Sequence, residues 1–168
     1  MNIKSIRKLY TMSQAQFARR FQLSVRTLQQ WEQGKSEPNP ALVRALYEIY
    51  IREHPHLSYE IYHKDTLVYD ILLSSDKKNV FCIRHNYRRF LQLFPSEEIT
   101  TYDLYRFFKS RCYEDGRDRL QEILAEAGMT DNNPYEWVDK THGVTWEDYF
   151  WIKKKDEVIT WKDVRVRE

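Results

Sequence analysis

Residues 12–46 read MSQAQFARRFQLSVRTLQQWEQGKSEPNPALVRAL, and the punctuation of this stretch decides the fold of the N-terminal third. Ser13 stands where a helix N-cap is wanted, which predicts a helix from Gln14 to Phe21 with Phe17, Ala18 and Phe21 on one face. Ser24 caps the next, Val25 to Gln33, with Leu28 and Trp31 inward. Gly34 ends it at the position that needs left-handed backbone angles. The run Lys35-Ser36-Glu37-Pro38-Asn39-Pro40 is a loop, because its prolines cannot continue a helix. Upstream, Ile3, Ile6, Leu9 and then Met12 recur at helical spacing. Downstream, Leu42, Leu46 and Ile49 mark a fourth helix from about Ala41 to Arg52. The expected centre is Ile6, Leu9, Phe17, Phe21, Leu28, Trp31, Leu42 and Leu46.

Taken whole, this string resembles the Cro/Xre (phage-repressor-like) helix-turn-helix family over residues 1–54. Ser-Gln opens helix two, Phe-Ala packs it, Leu-Ser leads into helix three, and Trp-Glu-x-Gly closes it before the proline loop. One position departs from the family: Gln22 stands in the turn where glycine is usual, and reaches the required geometry only at a cost. The resemblance implies a DNA-binding domain whose third helix enters the major groove. Leu28 and Trp31 take its inner face, leaving Val25, Arg26, Gln29, Gln30 and Gln33 outward. The family alignment makes Val25, Arg26 and Gln30 the base readers, with Gln29 beside them. The chemistry agrees: Arg bridges guanine O6 and N7, Gln bridges adenine N6 and N7, and Val meets a thymine methyl. Ser24 and Lys35 flank this helix as further DNA contacts, Lys35 to the backbone. Gln14 matches the family residue that clamps a phosphate, assisted by backbone N–H groups. Arg7 and Glu32 occupy positions that pair in the family and support the recognition helix. As a surface ion pair they are expected to contribute about 0–1 kcal/mol.

At Glu53-His54-Pro55-His56 the helical period stops, and a second domain is expected over residues 57–168. Leu57 to His63, Leu67 to Leu73 and Val80 to Arg84 read as strands. Tyr87 to Phe94, Tyr102 to Cys112 and Arg117 to Ala127 read as helices. Asn133-Pro134 with Glu136 signs the start of another, which ends near His142-Gly143. Phe150 to Lys154 and Val158 to Trp161 are expected to form a hairpin. The fold class is therefore an α-helical helix-turn-helix domain followed by an α+β domain. Residues 103–166, with Lys140-Thr141-His142-Gly143-Val144 and Thr160-Trp161-Lys162-Asp163-Val164, resemble a module of mobile-element and HipA-like proteins. No kinase comes with it, since the chain has only four glycines and neither a phosphate loop nor a kinase catalytic loop.

Charge divides at the same boundary. Residues 1–54 carry nine Lys/Arg against four Glu, a net of +5, and residues 55–168 carry 18 basic and 21 acidic side chains, a net of −3. Only the first part is thus expected to face nucleic acid. No run approaches the roughly 18 apolar residues of a membrane span, and no signal-peptide core is present, so a cytoplasmic protein with no membrane contact is expected. Cys82 and Cys112 read as reduced structural thiols.

The C-terminal part offers no catalytic constellation above background. His142 with Asp148 could form an acid–base pair, but a histidine beside glycine at a helix end is more often structural. His54, His56 and His63 lack a fourth ligand, so no metal is expected, and no cofactor. Tyr59, Tyr62, Tyr69, Tyr87, Tyr102 and Tyr105 suit either core rings or a contact face, with the core as the expected role. Arg84, His85, Arg88 and Arg89 form a basic cluster suited to RNA or an acidic partner, although a solvated helix face is the expected reading. A non-enzymatic, homodimeric repressor follows, binding an inverted-repeat operator in double-stranded DNA of a phage or mobile-element operon, often its own. The alternative gives the second part a protein partner: a host protein that it inhibits, as anti-CRISPR proteins do, or a toxin that it grips as an antitoxin.

Overall fold

Four helices come first: α1 (Ile3–Leu9), α2 (Gln14–Arg20), α3 (Val25–Glu32) and α4 (Pro40–Glu53). The computed structural model describes residues 3–54, 56–96 and 99–166, Ile51 by its backbone alone; Pro55 at the expected boundary lies outside them. Ser13 caps α2 reciprocally. Its hydroxyl accepts from the Gln16 backbone N–H at 3.3 Å, and the Gln16 side-chain Oε1 accepts from the Ser13 N–H at 2.9 Å, closing a capping box. Gln22 does take the left-handed geometry, φ 53°. The turn is held by the Leu23 N–H on the Ala18 carbonyl (2.8 Å) and the Gln22 N–H on the Arg19 carbonyl (3.4 Å), the paired bonds of a Schellman ending. A non-glycine residue there costs on the order of 1 kcal/mol. Pro40, read from sequence as loop, is instead the first residue of α4, where its missing N–H is no loss. Asn39 caps it by accepting from the Ala41 N–H at 2.8 Å.

Strands β1 (His56–His63), β2 (Thr66–Ser74), β3 (Val80–Arg84) and β4 (Phe150–Lys154) form one antiparallel sheet in the order β3-β2-β1-β4. Helices α5 (Thr101–Lys109), α6 (Leu120–Glu126), α7 (Pro134–Thr141) and α8 (Trp161–Val164) complete the chain. The architecture is helical and then α+β. One sheet face, with Tyr59, Ile61, Ile71, Leu73 and Ile152, packs on Leu104, Phe107 and Phe108 of α5 and Val138 of α7. The other face is where the two parts of the chain meet. Leu72 and Phe81, opposed across β2 and β3, join one apolar cluster with Ile3, Ile6, Val43, Leu46, Tyr47 and Tyr50, and Ile83 packs against it. The rings of Tyr47 and Phe81 lie 4.9 Å apart. The buried face of α4 therefore runs through residues 43, 46, 47 and 50, one step round from the expected 42, 46 and 49, because this helix covers both α1 and the sheet.

Two expectations fail. Tyr87 to Phe94 is not a helix; only Arg89–Leu91 turn, as a 3₁₀ segment. The Arg84 guanidinium takes the carbonyls of Asn86 (2.8 Å) and Arg88 (3.4 Å), and the Asn86 side chain accepts from the Arg88 N–H. These bonds compete with a helical ladder. The C-terminal hairpin is also absent. β4 pairs with β1, while Thr160 and Asp163 close a capping box that starts α8 instead. Val158, read as strand, is fully exposed. The helix expected from Arg117 begins only at Leu120, after Arg119 in left-handed geometry. Among the described residues no helix is long and apolar enough to cross a membrane.

Candidate nucleic-acid interface

The recognition surface is assembled from α2 and α3. Ser24 occupies the N-cap of α3, its carbonyl accepting from the Leu28 N–H at 3.0 Å, and its hydroxyl makes no cap bond. Leu28 is fully buried and Trp31 partly so, which fixes the roll of the helix. Val25, Arg26, Gln29 and Gln33 are then exposed, and Gln30 is half-buried. Val25 keeps 40% of its surface in solvent, a loss that an apolar side chain recovers when it meets another apolar group. Lys35 is exposed beyond Gly34 (φ 70°), its N–H on the Gln30 carbonyl at 2.9 Å.

Beneath this face lies a hydrogen-bonded network. Arg7 Nε and Nη2 meet the Glu32 carboxylate oxygens at 2.6 and 3.1 Å, and Arg7 Nη1 donates to the Met12 carbonyl at 2.7 Å. The sequence placed this ion pair at the surface. It is instead largely enclosed, with 4% of the Glu32 side chain and 16% of Arg7 exposed. Gln14 donates to the second Glu32 oxygen at 2.7 Å and accepts from Gln29 at 3.4 Å. Burial alone would raise the Glu32 carboxyl. The hydrogen bonds from Arg7 and Gln14, with the charges of Arg7 and Lys4, outweigh it and hold this group below the ordinary glutamate range. Gln14 is thus a half-buried hub as well as a candidate phosphate clamp. One of its two amide protons is spent on Glu32, which leaves the other for a ligand. Sequence periodicity gave no sign of this hub, since its members lie 15 to 25 residues apart.

With that geometry in place, residues 3–51 match a family model described as helix-turn-helix. The N-terminal region is a Cro/Xre-like helix-turn-helix. It is also similar to Antitoxin HigA-2 of Vibrio cholerae, 45% identical over 53 residues, which are 32% of this chain and 49% of that protein. The alignment thus spans about half the length of the curated relative. No solved structure matches the chain. The helix-turn-helix match stops at residue 51, ahead of β1.

Beyond the helix-turn-helix the candidate residues scatter. Asp148 does not meet His142: its oxygens both lie 2.8 Å from Arg111 Nη1, and one accepts from the Phe150 N–H. His142 ends α7 in left-handed geometry with Nδ1 3.2 Å from the Ile152 carbonyl. His54 and His56 face backbone carbonyls, whereas His63 sits among the rings of Phe90, Tyr149 and Phe150. Among the described residues no group of histidine, cysteine and acidic side chains is placed to hold a metal. Neither Cys82 nor Cys112 is in a disulfide. Burial pushes the Cys82 thiol up to about 12 and the Cys112 thiol up to about 11, which suppresses thiolate reactivity. Tyr59 and Tyr69 are core rings, but Tyr87, Tyr102 and Tyr105 are exposed.

Proposed function

We propose that the protein is a sequence-specific, non-catalytic repressor of its own operon, binding an inverted repeat in duplex DNA as a dimer. The observation that carries this reading is the head of α3. Val25, Arg26 and Gln29 stand together in solvent, and Gln14 beside them is held by a buried carboxylate. Polar side chains at the N-terminal end of a helix, backed by a rigid support, suit base reading in the major groove. Gln30, half-buried, reaches a base edge less freely than Arg26. One such unit reads too few base pairs for specificity, so two half-sites about one helical turn apart are expected. Footprinting on the upstream region should show paired protection; a single protected half-site bound by a monomer would sink the dimer reading.

The direct test is Arg26→Ala. It should weaken the operator complex by about 1–3 kcal/mol and relax the choice at one base pair. Loss that is equal on operator and random duplex would rule out a base contact for Arg26. Gln14→Ala should weaken both.

A second reading is favoured by the relative, which is an antitoxin. The sheet and α5–α8 would then hold a toxin while the helix-turn-helix represses the operon. Co-purification of a neighbouring gene product with the full chain, lost on surface changes in residues 57–168, would support it.

A further inference from the structure

The end of the sheet at the turn between β1 and β2 carries an unexplained surface. Because Tyr87 to Phe90 is not a helix, its rings are not absorbed by a packed face: Tyr87 and Phe90 are each 66% exposed. They are not isolated. The Arg84 guanidinium lies 5.0 Å from the Tyr87 ring centre. Phe90 meets His63 at 6.0 Å, His63 meets Tyr149 at 5.8 Å, and the Lys64 ammonium lies 4.1 Å over Tyr149. Burial, then the neighbouring Lys64 charge, lowers His63, so at neutral pH it is an uncharged ring. The result is a run of rings across the turn between β1 and β2, the segment after β3, and the start of β4.

The charge around them is mostly positive. From Asn79 to Ser96 the chain holds three arginines, Arg84, Arg88 and Arg89, and no Asp or Glu, and Arg88 and Arg89 are exposed. Two nearby acids are engaged: Asp70 with His85 at 3.1 Å and Asp148 with Arg111 at 2.8 Å. Asp65 and Glu147 are the acids left at the rim. We infer that this patch binds single-stranded RNA, unpaired bases lying on Tyr87 and Phe90 while Arg88, Arg89 and Lys64 take the phosphates. Exposed rings interleaved with cations are the chemistry of unpaired strands, because each base offers a flat face and each nucleotide a charge. Duplex bases are already stacked and cannot use the rings. An acidic polypeptide would meet the cations, but it does not carry a flat face beside every charge as a nucleotide does. RNA is the unpaired strand a cell holds in quantity, and stacking on aromatic and guanidinium planes is how its unpaired bases are gripped. The site is separate from α3, so this inference stands or falls independently of operator binding.

The test uses the full chain and a fluorescent oligouridylate, read by anisotropy over a salt series. Wild type should bind it, and Tyr87→Ala with Phe90→Ala should weaken it roughly tenfold or more. The same double variant should leave operator-duplex affinity unchanged, while Arg26→Ala should leave oligouridylate affinity unchanged. Both rings are mostly solvent-exposed, so folding is not at stake, and an unchanged melting curve checks this. The inference is overturned if the double variant binds oligouridylate like wild type, or if operator duplex displaces the RNA completely. It is equally overturned if oligothymidylate binds tenfold tighter than oligouridylate, or if polyglutamate binds at this patch and RNA does not.

Discussion

Arg7→Ala should cost the fold several kcal/mol, far more than a surface ion pair is worth. Removing one partner of a buried pair typically costs about 3–5 kcal/mol, because the other charge is left desolvated. The effect here should sit at the low end, since 16% of the Arg7 side chain still meets water. Three donated bonds are lost together, two to Glu32 and one to the Met12 carbonyl. Urea unfolding at neutral pH measures the loss directly. Its pH dependence has a definite sign. Glu32 is held below the ordinary glutamate range in the fold, so its contribution is complete above that range and disappears as pH falls through the lowered value. The gap between wild type and Arg7→Ala should therefore close in acid. A gap that stays constant down to pH values where Glu32 is protonated would mean that the guanidinium acts by packing alone. Operator affinity should fall as well, because Gln14 and Gln29 hang from the same carboxylate.

The difference between a surface pair and a buried one marks the limit of what the sequence can disclose. Helix ends were legible where they are written locally: Ser13, Ser24 and Gly34 each act within a few residues of themselves, whereas the cap at Asn39-Pro40 was read as loop. Even the anomalous Gln22 was readable, since the turn needs left-handed geometry whoever occupies it. The depth of Arg7 and Glu32 depends instead on how α1 and α3 pack, which no local pattern records. The same holds for α4, whose buried residues at 43, 46, 47 and 50 follow from a second neighbour, the sheet. Farther along, Tyr87 to Phe94 had helix-like spacing. The outcome turned on the Arg84 side chain taking backbone carbonyls, a competition that hydrophobic periodicity does not weigh. Val158 to Trp161 is β-branched and aromatic and reads as a strand, while the capping signal from Thr160 to Asp163 overlaps it and proved the stronger determinant. For the interface, α3 exposure was predicted by periodicity, whereas the hub at Gln14 was not.

The boundary near residue 54 was likewise visible in charge and period, yet the packing there argues against two freely separable parts, and Phe81→Ala tests this. Phe81 is 2% exposed and lies against Tyr47 of α4, so truncating it opens a cavity between the helix-turn-helix and the sheet. Large-to-small changes of this kind cost about 3–5 kcal/mol. If the shared cluster couples the two parts, hydrogen exchange should accelerate in α2 and α3 as well as in β2 and β3, because one cooperative unit loses stability everywhere at once. If the parts were independent, protection in α2 and α3 would stay at its wild-type level while the sheet alone loosened. A fragment ending at Glu53 gives the complementary reading. It keeps Ile6, Phe17, Leu28 and Leu46 but exposes the surfaces of Val43 and Tyr47 that Leu72, Phe81 and Ile83 cover. Domains near this size are marginal even with their cores intact. The fragment should thus unfold at lower denaturant than the same helices in the full chain, and bind operator more weakly in proportion to its folded fraction. Equal stability of fragment and full chain would show the sheet to be a passenger, and the contact between Tyr47 and Phe81 to be worth little.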